Sequence, residues 1–148
     1  MDILQKITRV TCAIIESDGK VLAAQRSRVM SMPLKWEFPG GKIEPGEEAD
    51  QCIVREIREE MNVEIKVLHF LPGHIFDYGV TKIELIPFIC KITGGALKCN
   101  EHEKIVWEIP EKLDTLDWAE ADIFILRDYM EYVKMKPSGI RDEYTNKC

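Results

Sequence analysis

The chain offers no way to build a cysteine-based centre. Its five cysteines, Cys12, Cys52, Cys90, Cys99 and Cys148, are odd in number and include no CxxC pair. Neither a disulfide framework nor a zinc clasp is therefore written into the sequence, and reduced thiols in a cytoplasmic protein are expected. The three histidines lack ligand spacing as well. No apolar run approaches the ~18 residues of a membrane span, and Lys6 and Arg9 interrupt the start of the chain where a signal peptide would be apolar. Basic residues are in deficit, 20 Lys and Arg against 26 Asp and Glu, for a net charge of −6. That balance repels a nucleic acid polymer, and no basic cluster offsets it. A small phosphate ligand that arrives with a metal ion stays compatible. What remains is a chain of 148 residues, 45% hydrophobic and 31% charged, suited to one globular domain. Residues 1–136 are expected to form it, with 137–148 as a polar tail. Nothing in the sequence specifies an oligomeric state.

Element signals alternate along the chain. Ile7 to Glu16 reads as a strand rich in β-branched residues, and Asp18-Gly19 marks a hairpin to a second strand, Val21 to Arg26. Ser27 to Lys35 reads as a loop. Trp36-Glu37-Phe38 is a short extended piece stopped by Pro39-Gly40-Gly41, and Glu44-Pro45-Gly46 is a turn. A helix is expected from near Glu47 to Met61, with Ala49, Ile53 and Ile57 as its apolar stripe. Glu47 and Glu48 would lie in its first turn, and Asn62 would accept the left-handed cap. Strands follow at Val63 to Leu71, Thr81 to Ile92 and Lys104 to Ile109. Pro87 argues for an edge position or a bulge in the second of these. A second helix is expected from near Asp122, with Ile123, Leu126, Met130 and Val133 on one face, broken by Pro137-Ser138-Gly139. Helices alternating with strands imply an α/β/α layered domain.

The chemistry concentrates in GGKIEPGEEADQCIVREIREEMNV, Gly40 to Val63. On a helix Glu56, Glu59 and Glu60 lie at i, i+3 and i+4, so three like charges share one face and repel. A solvated acidic face relieved by Arg55 and Arg58 is one account. A set of hard oxygen ligands for Mg²⁺ or Mn²⁺ is the other. The surroundings favour the second. Gly40-Gly41 lets the backbone approach a ligand closely, Lys42 follows at once, and Glu47 and Arg55 lie about two turns apart on one side. The acidic first turn rules out a Walker-type phosphate loop.

This segment resembles the Nudix box, G-x5-E-x7-R-E-U-x-E-E-x-G-U with U a bulky aliphatic. Gly41, Glu47, Arg55, Glu56, Ile57, Glu59, Glu60 and Val63 fall in register, and Asn62 stands where the family has glycine. Trp36 to Glu44, and Leu116-Asp117-Trp118-Ala119-Glu120-Ala121-Asp122-Ile123, are similar to segments of the MutT-like branch, which includes 8-oxo-dGTP diphosphatase and CTP pyrophosphohydrolase. The resemblance spans about Thr8 to Tyr129 and is weak between Lys66 and Gly95. It implies the Nudix fold, an α/β/α sandwich around a mixed β-sheet. It also implies Mg²⁺-dependent (Mn²⁺ as substitute) attack of water on a nucleoside triphosphate between the α and β phosphates, releasing NMP and pyrophosphate.

The resemblance also assigns roles. Glu56, Glu59 and Glu60 would be metal ligands, with the Gly40 carbonyl completing the shell. Glu47 and Arg55 would form an ion pair that orients the helix, where the alternative is an ordinary surface pair. Glu101 would contact metal or the attacking water, with Glu56 or His102 as rival general bases; a solvated loop carboxylate is the plainer account. Arg26 and Lys42 are candidates for substrate phosphates. Phe38 and Tyr78 are candidates for lining the base, though aromatics at such positions are more often core. Asp122, a plain helix cap by sequence, would read the base edge, and would donate as well as accept if an apolar pocket kept it protonated. That leans the specificity toward CTP or a relaxed preference. Two other readings stay open: hydrolysis of ADP-ribose or a dinucleoside polyphosphate, and a catalytically silent nucleotide sensor.

Overall fold

The structure, a computed structural model, describes residues 6–136. The expected polar tail at 137–148, with its Pro137-Ser138-Gly139 breaker, lies outside the described residues. In chain order the elements are β1 (Lys6–Ser17), β2 (Lys20–Gln25), β3 (Trp36–Glu37), β4 (Gly40–Lys42), α1 (Ala49–Met61), β5 (Val63–Phe70), β6 (His74–Asp77), β7 (Thr81–Gly95), β8 (Lys104–Glu108), a 3₁₀ turn (Pro110–Thr115) and α2 (Glu120–Met135). Among the described residues the strands make one eight-stranded sheet with the main order β3-β2-β1-β7-β5; β4 is added to β1, β6 to β7 and β8 to β2. The β1–β7 pairing is parallel and the others are antiparallel, so the sheet is mixed.

Strand β1 shows why both faces of the sheet are covered. Cys12, Ala13, Ile14 and Ile15 are all buried. Side chains alternate along a strand. Cys12 and Ile14 therefore join the core that includes Ile125 and Tyr129 of α2. Ala13 and Ile15 join the core that includes Ile53, Ile57 and Met61 of α1. An unbroken apolar run is what a strand buried on both faces requires. The α/β/α layering expected from the sequence is present.

The Asp18-Gly19 hairpin forms, with φ of 51° and 76°, as a primed turn needs. It pairs only Glu16 and Ser17 with Val21 and Lys20. Beyond that the two strands part, and the 36–42 segment fills the gap. There β3 pairs with β2 and β4 with β1, and Ala13 N donates to Pro39 O at 2.8 Å. This splayed hairpin seats the glycines of the box beside β1.

Four expectations need correction. Helix α1 begins at Ala49, after the Pro45-Gly46 turn, with Glu48 as its N-cap and Asp50 as the acid of its first turn. Glu47 lies before the helix. Pro87 sits in central β7, where it pairs with Cys12 of β1. Leu71 N donates to Pro87 O at 3.1 Å, so the side of Pro87 without an N–H faces the break between β5 and β6, where no ladder bond is required. Helix α2 starts at Glu120 and buries Asp122, Ile125, Leu126 and Tyr129; Ile123, Met130 and Val133 pack at the rim. The rotation brings the Asp122 carboxylate to Phe38 N and Tyr129 OH to Glu16, at 2.9 and 2.6 Å. Gly40–Lys42 is a strand, β4, where only a turn was read.

Candidate active site

The box is held by close approach of backbone to backbone and backbone to carboxylate. A Cβ on Gly40 would stand 2.0 Å from Thr11 O, and a Cβ on Gly41 would stand 2.4 Å from the carboxyl carbon of Glu56. Gly40 is glycine because β4 lies against β1, and Gly41 because Glu56 occupies the space a side chain would take. Thr11 Oγ1 donates to Gly41 O at 3.1 Å, and the Cys52 thiol to Lys42 O at 3.3 Å. These bonds tie the loop to both β1 and α1.

Arg55 grips Glu47 with two bonds, Nε to Oε2 at 2.6 Å and Nη2 to Oε1 at 2.9 Å. This fork is the strong form of the pair, and it is more than an ordinary surface contact because Arg55 also donates to Lys42 O, Glu56 and Glu59. The Arg55 bonds, then the turn around Glu44, hold the Glu47 carboxyl down at about 2. Arg55 is in turn held further in its charged form, first by Glu47.

The three box carboxylates differ. Glu59 is exposed, Glu56 half-buried and Glu60 buried at 4%. The loop after β7 joins them. Lys98 N, Asn100 N and Asn100 Nδ2 donate to the carbonyls of Met61, Glu60 and Glu59 at 2.9, 3.0 and 3.1 Å. These are last-turn carbonyls that α1 cannot satisfy itself, so capping the helix brings Glu101 to its acidic face. Burial, then the charges of Glu56 and Glu101, push the Glu60 carboxyl up to about 9. Burial and the neighbouring Glu59 and Glu101 raise Glu56 against the pull of Arg55.

The donor chemistry fits a hard divalent cation. Glu60 Oε2 is buried with no hydrogen-bond partner, an arrangement that is costly for a carboxylate unless positive charge reaches it. The charges that act on it are those of Glu56, Glu101, Glu37 and Glu59, all oxygen groups, the ligand type that Mg²⁺ and Mn²⁺ prefer. Among the described residues no three His, Cys, Asp or Glu side chains are gathered on one point, since Arg55 draws Glu56 and Glu59 to its own guanidinium. An open hollow of about 640 Å³ lies along Glu47, Asp50, Gln51, Val54 and Arg58, a different stripe of α1 from the carboxylates.

The remaining candidates divide. Arg26 is not a free cation. Nη1 meets Glu37 Oε1 at 2.6 Å, while Nε and Nη2 donate to Ser31 O and Oγ at 2.6 and 2.9 Å. Lys42 is exposed at the mouth of the box. Asp122 is buried, and burial above all pushes its carboxyl up to about 7. Phe38 is core, packed on Trp118 with ring centroids 4.7 Å apart; its N–H serves Asp122. His102 has a side chain only 1% exposed, with Nε2 2.8 Å from Glu37 Oε2, so it has no open path to a water in the site. Tyr78 is not brought to the group. It is half exposed in the turn before Thr81, and Thr81 pairs with Lys6, whereas Gly41 pairs with Thr11, some 16 Å further along β1 at ~3.3 Å per residue. Glu37 was not singled out by the sequence reading. Its only signal is a charge between two aromatics, Trp36 and Phe38, both of which prove buried.

Comparison with known proteins agrees with this geometry. The NUDIX domain model matches residues 5–129. The chain is 37% identical over 133 residues to the CTP pyrophosphohydrolase of Escherichia coli (strain K12), covering 90% of this chain and 98% of that protein. It is 31% identical over 126 residues to the nucleoside triphosphatase NudI of Enterobacter sp. (strain 638), covering 76% and 89%. The solution structure of the E. coli ORF135 protein matches with a TM-score of 0.81 and 36% identity, covering 90% of this chain and 95% of that one. With its box glycines, its Glu47–Arg55 fork and its facing carboxylates in place, the chain belongs to the Nudix hydrolase family.

Proposed function

We propose that the chain is an Mg²⁺-dependent nucleoside triphosphate pyrophosphohydrolase, acting on CTP or a closely related NTP or dNTP to give NMP and pyrophosphate. The observation that carries this is the acidic face of α1, where Glu56 lies against Gly41 and Glu60 feels the charges of Glu56 and Glu101, with one buried Glu60 oxygen lacking any hydrogen-bond partner. The likeness to a CTP pyrophosphohydrolase over nearly the whole of both chains supports the substrate class.

Glu56, Glu59, Glu60 and the Gly40 carbonyl are the groups that would hold the cation. When bound, the cation supplies positive charge to the phosphate chain and acidifies the attacking water. The protein's own part is positional. Arg55, fixed by Glu47, sets the rotamers of Glu56 and Glu59. Glu101, on an exposed loop position, accepts the proton of the attacking water. Lys42 meets the outer phosphates. Asp122 reads the base edge; with its carboxyl raised to about 7, both the ionised and the neutral forms are populated near pH 7, and the neutral form donates as well as accepts. Arg26 acts by shaping this side of the site through Glu37 and Ser31. A small nucleotide is the partner, in the cytoplasm, with no role for a nucleic acid polymer.

Incubating the purified protein with NTPs, dNTPs, 8-oxo-dGTP, ADP-ribose and a diadenosine polyphosphate, with Mg²⁺ or EDTA and beside Glu59→Gln, tests the reading. NMP and pyrophosphate from CTP or its relatives, abolished by EDTA and by the substitution, is the expected result. Cleavage of ADP-ribose or the dinucleotide alone would reject the substrate class, and binding without cleavage would reject the enzymatic reading.

A further inference from the structure

The loop that delivers Glu101 is anchored by backbone on both sides. Asn100 N donates to Glu60 O at 3.0 Å, and Glu103 N to Gln25 O at 2.8 Å. Between these anchors stand only Glu101 and His102, and they face opposite ways: Glu101 is exposed and His102 is buried. The Cys99 thiol also donates to His102 O at 3.2 Å, which closes the turn on itself but does not tie it to the sheet or to α1. The His102 side chain ties it to the sheet. It is 1% exposed, and its Nε2 lies 2.8 Å from Glu37 Oε2. A carboxylate only accepts, so Nε2–H donates. The other Glu37 oxygen is held by Arg26 at 2.6 Å, and Arg26 is fixed by Ser31. Glu60 Oε1 is 4.0 Å from Nε2, too far to compete for the hydrogen.

We propose that His102, held by Glu37, is a positioning residue that sets Glu101 against the carboxylates of α1 and couples this placement, through Glu37, to Arg26. This rests on the role given to Glu101 under the proposed function. It reassigns His102 from a rival general base to the pin of the loop, and gives Glu37 the task of joining His102 to Arg26.

The test compares His102→Ala, His102→Gln, Glu101→Gln and the double variant in the full chain, with kcat and KM for CTP hydrolysis and Mn²⁺ affinity measured by electron paramagnetic resonance without substrate. His102→Ala should lower kcat by about 10- to 100-fold, the usual effect of losing a residue that orients a working group, with KM and Mn²⁺ affinity changed less than about twofold, since Glu101 is given the water and not the cation. His102→Gln, whose amide N–H can reach Glu37, should restore most of the loss. Because His102 acts through Glu101, the double variant should be no slower than Glu101→Gln alone within about twofold. Multiplying losses, or no rescue by Gln, would overturn the proposal. If His102→Ala does not fold, His102→Asn replaces it, since its shorter amide falls short of Glu37. Wild-type turnover in Glu101→Gln would instead reject the role of Glu101 itself, whereas a slow Glu101→Gln with additive His102→Ala rejects the pin alone.

Discussion

The two ends of the site are built on opposite principles. At the Arg26 end the charged groups are matched: Arg26 with Glu37 and Ser31, Glu37 with His102, Asp122 with Phe38 N. At the α1 end, Glu56, Glu60 and Glu101 repel one another, and one oxygen of Glu60 has no partner. The first end is held by direct side-chain bonds, with His102 Nδ1 its one buried atom without a hydrogen-bond partner among the described residues. The second holds electrostatic strain that a cation would relieve. Satisfied networks fix geometry, and unsatisfied like charges mark where a ligand belongs.

The largest test of that contrast is Glu60→Gln. Hydrolysis should fall by about 10³-fold or more, since a metal ligand supplies several kcal/mol of transition-state stabilisation. The same substitution should make the metal-free protein more stable near pH 7, by ~1–3 kcal/mol, because Glu60, pushed up to about 9, must take up a proton on folding and the amide need not. Turnover assays and urea melts in EDTA measure the two effects, and a destabilised, active variant would break the contrast. Next is Gly41→Ala, whose Cβ would push Glu56 aside; turnover should fall about 100-fold. Gly46→Ala is the control, with φ of 80° and open space around it. It should cost ~1–2 kcal/mol from the left-handed backbone and leave turnover nearly unchanged.

At the matched end, Asp122→Asn should change the pH profile of stability. The folded carboxyl is raised to about 7 from an ordinary 3.8, so the folded state binds this proton more tightly than the unfolded one. Its contribution is full below about pH 4 and is lost as pH rises through about 7. The wild type should therefore weaken relative to the variant between pH 4 and 8, by a few kcal/mol at most, read from urea midpoints at pH 5 and 8. A constant difference would show that Asp122 titrates normally. The smallest effect is expected at Asn62→Gly, the family's usual residue. Asn62 already has φ 60° and donates from Nδ2 to Ala96 O at 3.1 Å. Relief of backbone strain and loss of that bond should nearly cancel, leaving under ~1 kcal/mol in thermal or urea unfolding.

Much was readable from one dimension because it is local. The stripe of Ile53 and Ile57, the i, i+3, i+4 glutamates, the Asp18-Gly19 turn and the left-handed Asn62 each depend on residues a few positions apart, whose geometry the backbone imposes. The box register follows from the same spacing. The sequence could not say which glutamate is buried. Glu59 and Glu60 are adjacent, yet one faces solvent and the other faces His102, because a loop 40 residues away caps the helix between them. Nor could it say that Pro87 is central, since that depends on β5 and β6 breaking opposite it. Arg26 was a candidate for substrate phosphates from its place at a strand end and from the family resemblance; that Glu37 and Ser31 hold it is visible only in the folded chain. Composition and periodicity determined the fold class, the layers and the acidic face of α1, since covalent spacing sets which residues share a face. Burial, partners and protonation were decided by tertiary structure, because they depend on which distant segments exclude water from each charge.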